Sequence, residues 1–140
     1  MIKVALPNKG QLFEPTMDIL AACGYRVSKS LRSLSTLDAD NQVEFYFLRP
    51  GDIPLYVANG ILDAGITGKD FVAERVTEKV GVPPACLLDL SYGASKLCAA
   101  VPEAHPAKTL KDLMGMRIAT SFPNIVGGML PGNPLVELEG

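Results

Sequence analysis

The chain has 140 residues, a size that suits one ordinary domain or two small lobes. Hydrophobic residues make up 48% of it and charged residues 20%, which is enough apolar material for a packed core and excludes a disordered chain. The formal net charge is -2 without a run of like charges, which excludes the broad basic surface that non-specific nucleic-acid binding requires.

The N-terminal segment lacks the features of a secretory signal, because residues 1–6 are followed at once by Pro7-Asn8-Lys9-Gly10. No apolar run approaches the roughly 20 residues of a membrane span. Three cysteines lie in apolar segments without metal-ligand spacing and are predicted to be buried free thiols: Cys23, Cys86 and Cys98. We expect a cytoplasmic protein that binds neither nucleic acid nor membrane.

Strands and helices alternate in the first part of the chain. A buried strand is predicted over residues 2–6, followed by a helix that contains Leu12 to Cys23 and ends at Gly24. Residues 25–37 are ambiguous, and we interpret 33–37 as an irregular strand. A turn at residues 38–41 then connects to a strong strand over 43–48, so that a hairpin is expected.

The alternation continues to the end of the chain. Asp52 is predicted to cap a short helix that Asn59-Gly60 closes, and a second helix is predicted to begin at Phe71. Thr109 can cap a further short helix, and Pro123 lies in the first turn of the last predicted helix. Strands are predicted over residues 62–67, 85–90, 96–101, 117–120 and 135–138. This pattern predicts an α/β fold with a mainly parallel sheet, or two such lobes that meet near residues 91–95.

Ligands of open α/β sheets bind at the carboxyl ends of the strands, where four predicted loops have the composition of an anion site. Lys9 and Gly10 follow the first strand, although a solvated lysine in a turn is the simpler interpretation of that pair. Arg49 follows the strong strand over residues 43–48 and is suited to bidentate phosphate binding, or else it pairs with Asp52 or another carboxylate to brace the turn.

Thr67-Gly68-Lys69-Asp70 and Thr120-Ser121 form the other two loops. In the first, Asp70 either binds ribose hydroxyls and the adenine amino group or caps its own helix. In the second, two hydroxyls before a helix start indicate an anion pocket or a plain serine cap. Ser91 lies in a further small-residue loop that is either a hinge or a phosphate contact. His105, predicted to be exposed in a loop, has no assigned role.

Four blocks of sequence are together more specific than any single loop. They read ALPNKG at residues 5–10, VEFYFLRPGDI at 43–53, LDAGITGKD at 62–70 and RIATSFPN at 117–124. In this order and at these intervals they resemble the ATP phosphoribosyltransferases, enzymes that open histidine biosynthesis.

The resemblance implies a two-lobed, periplasmic-binding-protein-like α/β fold with mainly parallel sheets. Residues 1–92 would form the first lobe on the nucleotide side, and residues 93–140 an incomplete second lobe. The implied reaction transfers phosphoribosyl from phosphoribosyl pyrophosphate to N1 of the ATP adenine and releases pyrophosphate. Mg²⁺ would be carried by the phosphoribosyl pyrophosphate. A homo-oligomer and a regulatory subunit related to histidyl-tRNA synthetase are the implied partners.

By the same resemblance, one set of residues would bind the nucleotide: Lys9, Gly10, Arg49, Thr67, Gly68 and Asp70. Ser91, Thr120 and Ser121 would be phosphate contacts of the second lobe. The catalytic roles stay unassigned, and no protein metal site is implied.

The sequence departs from the family pattern after Asn124. Gly127, Gly128 and Pro131 disfavour the full helix expected there, and the Thr-Gly loop that cradles the donor 5-phosphate does not follow within the 140 residues. We therefore keep as the alternative a non-catalytic nucleotide- or anion-binding fragment of the family, inactive alone. A fragment that folds poorly and has no activity is the remaining possibility.

Overall fold

The computed structural model describes residues 1–29 and 33–139, and the chain divides into two compact units. Unit 1 is Met1–Ala94 and unit 2 is Ser95–Gly140. This division falls two residues after the boundary expected at 92/93. Part of the ambiguous segment 25–37, namely residues 30–32, lies outside the described residues.

Unit 1 contains a four-stranded sheet in the order β2-β3-β1-β4. Its strands are β1 (Ile2–Pro7), β2 (Ser35–Asp38), β3 (Val43–Leu48) and β4 (Ala64–Gly65). β1 pairs in parallel with both β3 and β4, whereas β2 is antiparallel to β3. The mainly parallel sheet and the hairpin are confirmed, but β4 is shorter than the strand predicted over residues 62–67.

Both faces of this sheet are covered, because alternate residues of a strand point to opposite faces. One face of β3 places Val43, Phe45 and Phe47 in a cluster with Leu6 and Leu20. The other face of β3 carries the half-buried Tyr46 and Leu48. These two side chains pack against a second cluster, formed by Ala5, Ile53 and Leu62. Unit 1 therefore has apolar layers on both sides of the sheet.

Three helices follow the parallel strands: α1 (Phe13–Ala22) after β1, α2 (Ile53–Ala58) after β3 and α3 (Lys69–Arg75) after β4. Gly24, with φ +86°, closes α1 as predicted. Asp52 precedes α2 but makes no side-chain capping bond. α3 begins two residues before the predicted Phe71, so Asp70 lies in its first turn.

Unit 2 contains β5 (Ile118–Thr120) and β6 (Leu135–Glu137), which pair in parallel, with α4 (Pro123–Met129) between them. A short 3-10 helix over Leu110–Leu113 precedes them, and Thr109 and Asp112 form a capping box at its start. α4 includes Gly127 and Gly128 and ends before Pro131, as the proline predicts.

Two predicted strands are wrong, since neither residues 85–90 nor residues 96–101 form a strand. A strand requires a hydrogen-bonded neighbour, and these segments make no backbone-to-backbone hydrogen bond within the described part of the chain. Their apolar side chains are consequently left in solvent, as the 87% exposure of Leu87 shows.

The predicted burial of the cysteines is also wrong, because Cys23, Cys86 and Cys98 are all exposed. Two of them lie in the segments that form no strand, and Cys23 lies at the end of α1. His105, predicted to be exposed, is half-buried and accepts a hydrogen bond from the Ala107 N–H at 3.1 Å. Among the described residues, no helix is long and apolar enough to cross a membrane.

Asp38 braces the amino edge of the sheet, at the turn between β2 and β3. Its side chain is only 2% exposed, and its carboxylate accepts hydrogen bonds from the Arg26 N–H at 2.8 Å and from Asn41 Nδ2 at 2.8 Å. These hydrogen bonds hold the pKa of Asp38 below its ordinary value. The bond from the Arg26 backbone is the main cause, and the bond from the Asn41 side chain is the second.

We expect Asp38→Asn to unfold at a lower denaturant concentration than the parent chain at pH 7. A carboxyl with a lowered folded-state pKa stabilises the fold above its unfolded pKa, and this stabilisation is lost as the pH falls through the folded value. The difference between the two proteins should therefore shrink below about pH 4. Urea titrations across the acid range test this, and a difference independent of pH would contradict it.

Candidate functional site

The predicted site loops of unit 1 lie at one edge of the sheet. β3, β1 and β4 are parallel neighbours, so their carboxyl ends meet on the same side. Lys9 and Gly10 follow β1, Arg49 follows β3, and Thr67 to Asp70 follow β4. The topology thus brings together the residues that the sequence placed in separate loops.

Hydrogen bonds join these loops directly. The Asn8 N–H donates to the carbonyl oxygen of Leu48 at 2.8 Å, which ties the β1 loop to the end of β3. The Thr67 hydroxyl donates to the carbonyl oxygen of Pro50 at 2.7 Å, which ties the β4 loop to the β3 loop. Thr67 therefore holds two loops together, a role that the sequence had not indicated.

Arg49 is exposed at this edge, and no carboxylate pairs with it in the described part of the chain. The alternative that it braces the turn through Asp52 is not realised. A second guanidinium lies nearby, since a Cβ built on Gly51 would be 3.6 Å from Arg75 Nη2. Sequence reasoning missed Arg75 because it lies at the end of α3, far along the chain from the loop that it contacts.

The β1 loop is open toward solvent on the side of Gly10, whose φ is +79° and whose Cβ position has no atom within 4 Å. Lys9 is exposed there. Lys29 donates to the Asn8 carbonyl oxygen, and its ammonium lies 4.8 Å from the centre of the Phe13 ring. The Asn8 Oδ1 atom is buried without a hydrogen-bond partner among the described residues. Neither Lys29 nor the Asn8 amide was singled out from the sequence.

One of the two carboxylate oxygens of Asp70 is hydrogen-bonded within the first turn of α3. Oδ1 accepts a hydrogen bond from the Phe71 N–H at 2.9 Å, while Oδ2 accepts none from the described residues. A Cβ at Gly68 would lie 2.2 Å from Oδ1, so a residue with a side chain at position 68 would displace the carboxylate. Gly68 thereby keeps Asp70 in place at the start of α3.

Lys69 pairs with Asp89, with 2.6 Å between Nζ and Oδ2. Because the two groups hydrogen-bond each other, the pKa of Lys69 lies above and that of Asp89 below its ordinary value. Ser91 follows two residues later with φ +57°, and its N–H donates to Asp89 Oδ1 at 2.9 Å. The exposed Ser91 is thus adjacent to the ion pair.

Thr120 and Ser121 follow β5 in unit 2. The Thr120 side chain is 8% exposed, and its hydroxyl oxygen accepts a hydrogen bond from the Phe122 N–H at 3.0 Å. That bond braces the turn before α4, whereas the serine cap considered as the alternative is not formed, because Phe122 is the N-cap residue of α4 and no side-chain capping bond is present there. Ser121 is exposed.

Two further observations limit the chemistry. Within residues 1–29 and 33–139, no group of three or more His, Cys, Asp or Glu side chains could hold a metal ion. An open hollow of about 190 Å³ lies beside Asp38, but at the amino edge of the sheet, and the Asp38 carboxylate is occupied by its own hydrogen bonds. The chemistry-bearing loops lie at the opposite edge, which we take as the candidate site.

The fold and this edge together define a class: α/β proteins whose candidate site is built from loops at the carboxyl ends of parallel strands. The sequence profile described as HisG: ATP phosphoribosyltransferase matches residues 49–134. The chain therefore belongs to the ATP phosphoribosyltransferase family.

Relatives agree with this membership. The ATP phosphoribosyltransferase of Rhodococcus jostii is 48% identical over 126 residues, which are 90% of this chain and 42% of that protein. The Mycobacterium tuberculosis protein of the same name is 47% identical over the same shares. The chain thus spans about two fifths of the length of these curated relatives.

A solved structure shows the fold. The ATP phosphoribosyl transferase (HisG:HisZ) complex from Thermotoga maritima aligns with a TM-score of 0.64 and 23% identity, over 100% of this chain and 65% of that chain. Together with the parallel pairing, this likeness confirms the expected α/β fold of the periplasmic-binding-protein type.

Proposed function

We propose that this chain is the nucleotide-binding part of an ATP phosphoribosyltransferase, which transfers phosphoribosyl from phosphoribosyl pyrophosphate to N1 of the ATP adenine. The observation that carries this proposal is the exposed Arg49, which has no carboxylate partner among the described residues, at an edge where three loops are joined by hydrogen bonds. Membership of the ATP phosphoribosyltransferase family supports ATP as the phosphorylated ligand of this edge.

The proposed chemistry needs positioning and charge neutralisation rather than a protein nucleophile. Displacement at the anomeric carbon with oxocarbenium character is accelerated by holding the two substrates in line and by stabilising the departing pyrophosphate. Arg49 and Lys9 would bind phosphate oxygens, and Arg75 adds a guanidinium beside the same loop. Oδ2 of Asp70 is available to accept from a ribose hydroxyl or the adenine amino group.

Three further residues are proposed phosphate contacts: Ser91, which lies in unit 1 and not in the second unit as expected, and Thr120 and Ser121 in unit 2. Ser91 and Ser121 are exposed and keep their proposed role, whereas the Thr120 hydroxyl is engaged with the Phe122 N–H and would support the loop. Unit 1 would be the nucleotide side, and unit 2 part of the donor side. Mg²⁺ would arrive as part of the pyrophosphate donor.

Assembly is proposed by analogy with the relatives. The Thermotoga maritima structure is named as a HisG:HisZ complex. We propose that this protein forms a homo-oligomer in the cytoplasm. It would also associate with a regulatory subunit related to histidyl-tRNA synthetase.

A second candidate function is nucleotide binding without turnover by these 140 residues. It is favoured by the extent of the match, because these residues correspond to 42% of the length of the Rhodococcus jostii relative. On this alternative unit 1 binds ATP with the same residues, but the ribose donor is not held.

Calorimetric titration of the chain with ATP, AMP and a simple amino acid such as glycine tests the binding step. We expect saturable binding of both nucleotides and none of the amino acid, because the edge offers cations and hydroxyls rather than a zwitterion pocket. A turnover assay with ATP and phosphoribosyl pyrophosphate then separates the two candidates. A folded chain that binds amino acids but no nucleotide would overturn both.

A further inference from the structure

Residues 89–93, called the strap below, are attached to unit 1 at both ends. At one end, Asp89 pairs with Lys69, the first residue of α3. At the other end, the Tyr92 hydroxyl lies 2.5 Å from the Thr16 hydroxyl in α1. These contacts join segments that are 20 and 76 residues apart in sequence.

The backbone of the strap adopts a conformation that its sequence does not favour. Ser91 has φ +57°, in the left-handed region that residues with a Cβ rarely adopt. Gly93 has φ +66°, and a Cβ there would lie 2.4 Å from Leu12 Cδ2, so the backbone approaches α1 closely. Tertiary contacts therefore impose the shape of the strap.

The direction of the Tyr92–Thr16 hydrogen bond follows from the number of protons. A threonine hydroxyl carries one proton, and that of Thr16 is donated to the Leu12 carbonyl oxygen at 2.6 Å. The Thr16 oxygen must then accept from Tyr92. Tyr92, Thr16 and Leu12 form a chain of hydrogen bonds in which each bond polarises the next.

The two attachments differ in strength. Lys69 and Asp89 are 74% and 60% exposed at their side chains, and an ion pair in solvent contributes little. Thr16 is completely buried and its bond to Tyr92 is part-buried, so water competes less for this bond than for the exposed ion pair. The Tyr92 attachment is accordingly the one that determines where the strap lies.

The strap runs between the helices that follow β1 and β4, which are neighbouring parallel strands. The same carboxyl edge carries Lys9 and Gly10 on one side and Thr67 on the other. The strap is thus attached across the edge to which we assign the nucleotide.

We propose that Tyr92 is a positioning residue: by donating to the buried Thr16 it fixes the strap, with Ser91, at the carboxyl edge of β1 and β4 and so raises the affinity of that edge for ATP. This inference rests on the proposed nucleotide-binding function. Loss of the Tyr92–Thr16 bond should release Ser91 from its unfavourable conformation and remove one side of the site.

The test measures ATP affinity by calorimetry alongside thermal unfolding for Tyr92→Phe, Thr16→Val and the double variant. Each single change should weaken ATP binding about three- to tenfold, as expected for the loss of one hydrogen bond. The double variant should bind no more weakly than either single variant, because both remove the same bond. Thr16→Ser, which keeps the hydroxyl, should retain the parent affinity.

Tyr25→Phe is the matched control, because it removes a phenol hydroxyl at the opposite edge of the sheet, where the Tyr25 ring packs on Phe45. Its ATP affinity should equal that of the parent chain. If Tyr92→Phe lowers only the melting temperature and leaves ATP affinity unchanged, Tyr92 is merely structural and the inference is overturned while the proposed function stands.

Hydrogen exchange at the Ser91 amide gives a readout that does not need a ligand. That N–H donates to Asp89 Oδ1, so it should exchange several-fold faster in Tyr92→Phe than in the parent chain or Tyr25→Phe. If the parent chain binds no ATP, the proposed function fails, and unchanged Ser91 exchange in Tyr92→Phe would independently overturn the attachment itself.

Discussion

Arg49→Ala should weaken ATP binding about ten- to hundredfold, the largest effect that we expect from a single change at the site. Hydrogen bonds to charged groups contribute roughly 1.5–3 kcal/mol, and every 1.4 kcal/mol is a factor of ten in affinity. Arg49 has no carboxylate partner in the described part of the chain, so its guanidinium is free to meet phosphate without first breaking an ion pair. Its removal should leave the melting temperature nearly unchanged.

Arg26→Ala is the control for this prediction. It removes the same charge from an arginine that is 81% exposed at its side chain and pairs with Asp40 at the amino edge of the sheet. The net charge of the protein changes equally in the two variants, so a difference between them reports an effect specific to the position of Arg49. Equal ATP affinities in Arg49→Ala and Arg26→Ala would contradict the placement of phosphate at the β3 loop.

The dependence of ATP affinity on salt concentration is a second way to compare Arg49→Ala with Arg26→Ala. Raising the salt concentration screens exposed charges, so ATP affinity of the parent chain and of Arg26→Ala should fall as salt increases. Arg49→Ala should show a shallower dependence, because one phosphate contact is already missing. Parallel slopes for all three proteins would indicate that Arg49 affects binding indirectly.

Asn133→Asp should destabilise unit 2 by about 2–4 kcal/mol, the largest stability change that we expect. The Asn133 Nδ2 group donates to the carbonyl oxygens of Leu113 at 2.7 Å and Met116 at 3.0 Å, while Oδ1 accepts from the Gly115 N–H at 3.1 Å. A carboxylate keeps the acceptor but replaces both donations with repulsion between oxygens at a site that is 9% exposed. In so small a unit this loss approaches the whole stability.

Hydrogen exchange reports the outcome unit by unit. The amides of Ile118 and Leu138, which donate to Pro134 and Thr120, should lose protection in Asn133→Asp, while the unit 1 amide of Phe47 should keep it. The control is Asn59→Asp, in which an exposed asparagine with one side-chain bond to the Leu55 carbonyl undergoes the same change. Unit 2 protection that survives in Asn133→Asp would show that these bonds contribute little.

The site loops of unit 1 could be predicted because they follow strands of clear local pattern. In β3, Val43, Phe45 and Phe47 alternate with less buried residues, and Arg49 comes directly after the strand. The topology of parallel strands then requires that such loops share an edge. The roles of Thr67 and Thr120 were less predictable, because a hydroxyl that binds phosphate and one that braces a turn have the same sequence context.

The misassigned segments show the limit of local pattern. Residues 85–90 are as apolar as a strand, yet Leu87 and Leu88 are exposed, because no strand within residues 1–29 and 33–139 supplies the hydrogen bonds that would make this segment part of a sheet. Cys86 and Cys98 are exposed for the same reason. Apolar composition predicts a preference for burial, but burial requires a partner surface.

The sequence by itself determined the alternation of strands and helices up to α3, the helix end at Gly24 and the hairpin before β3, because each rests on residues that are neighbours in the chain. The family was determined by four blocks whose order and intervals are read from the chain alone. The tertiary structure alone decided that Arg75 reaches the β3 loop, that Asn133 closes unit 2 and that Tyr92 is attached to Thr16. These contacts join residues far apart in sequence. Their existence depends on how elements pack, which side-chain type and local spacing do not encode.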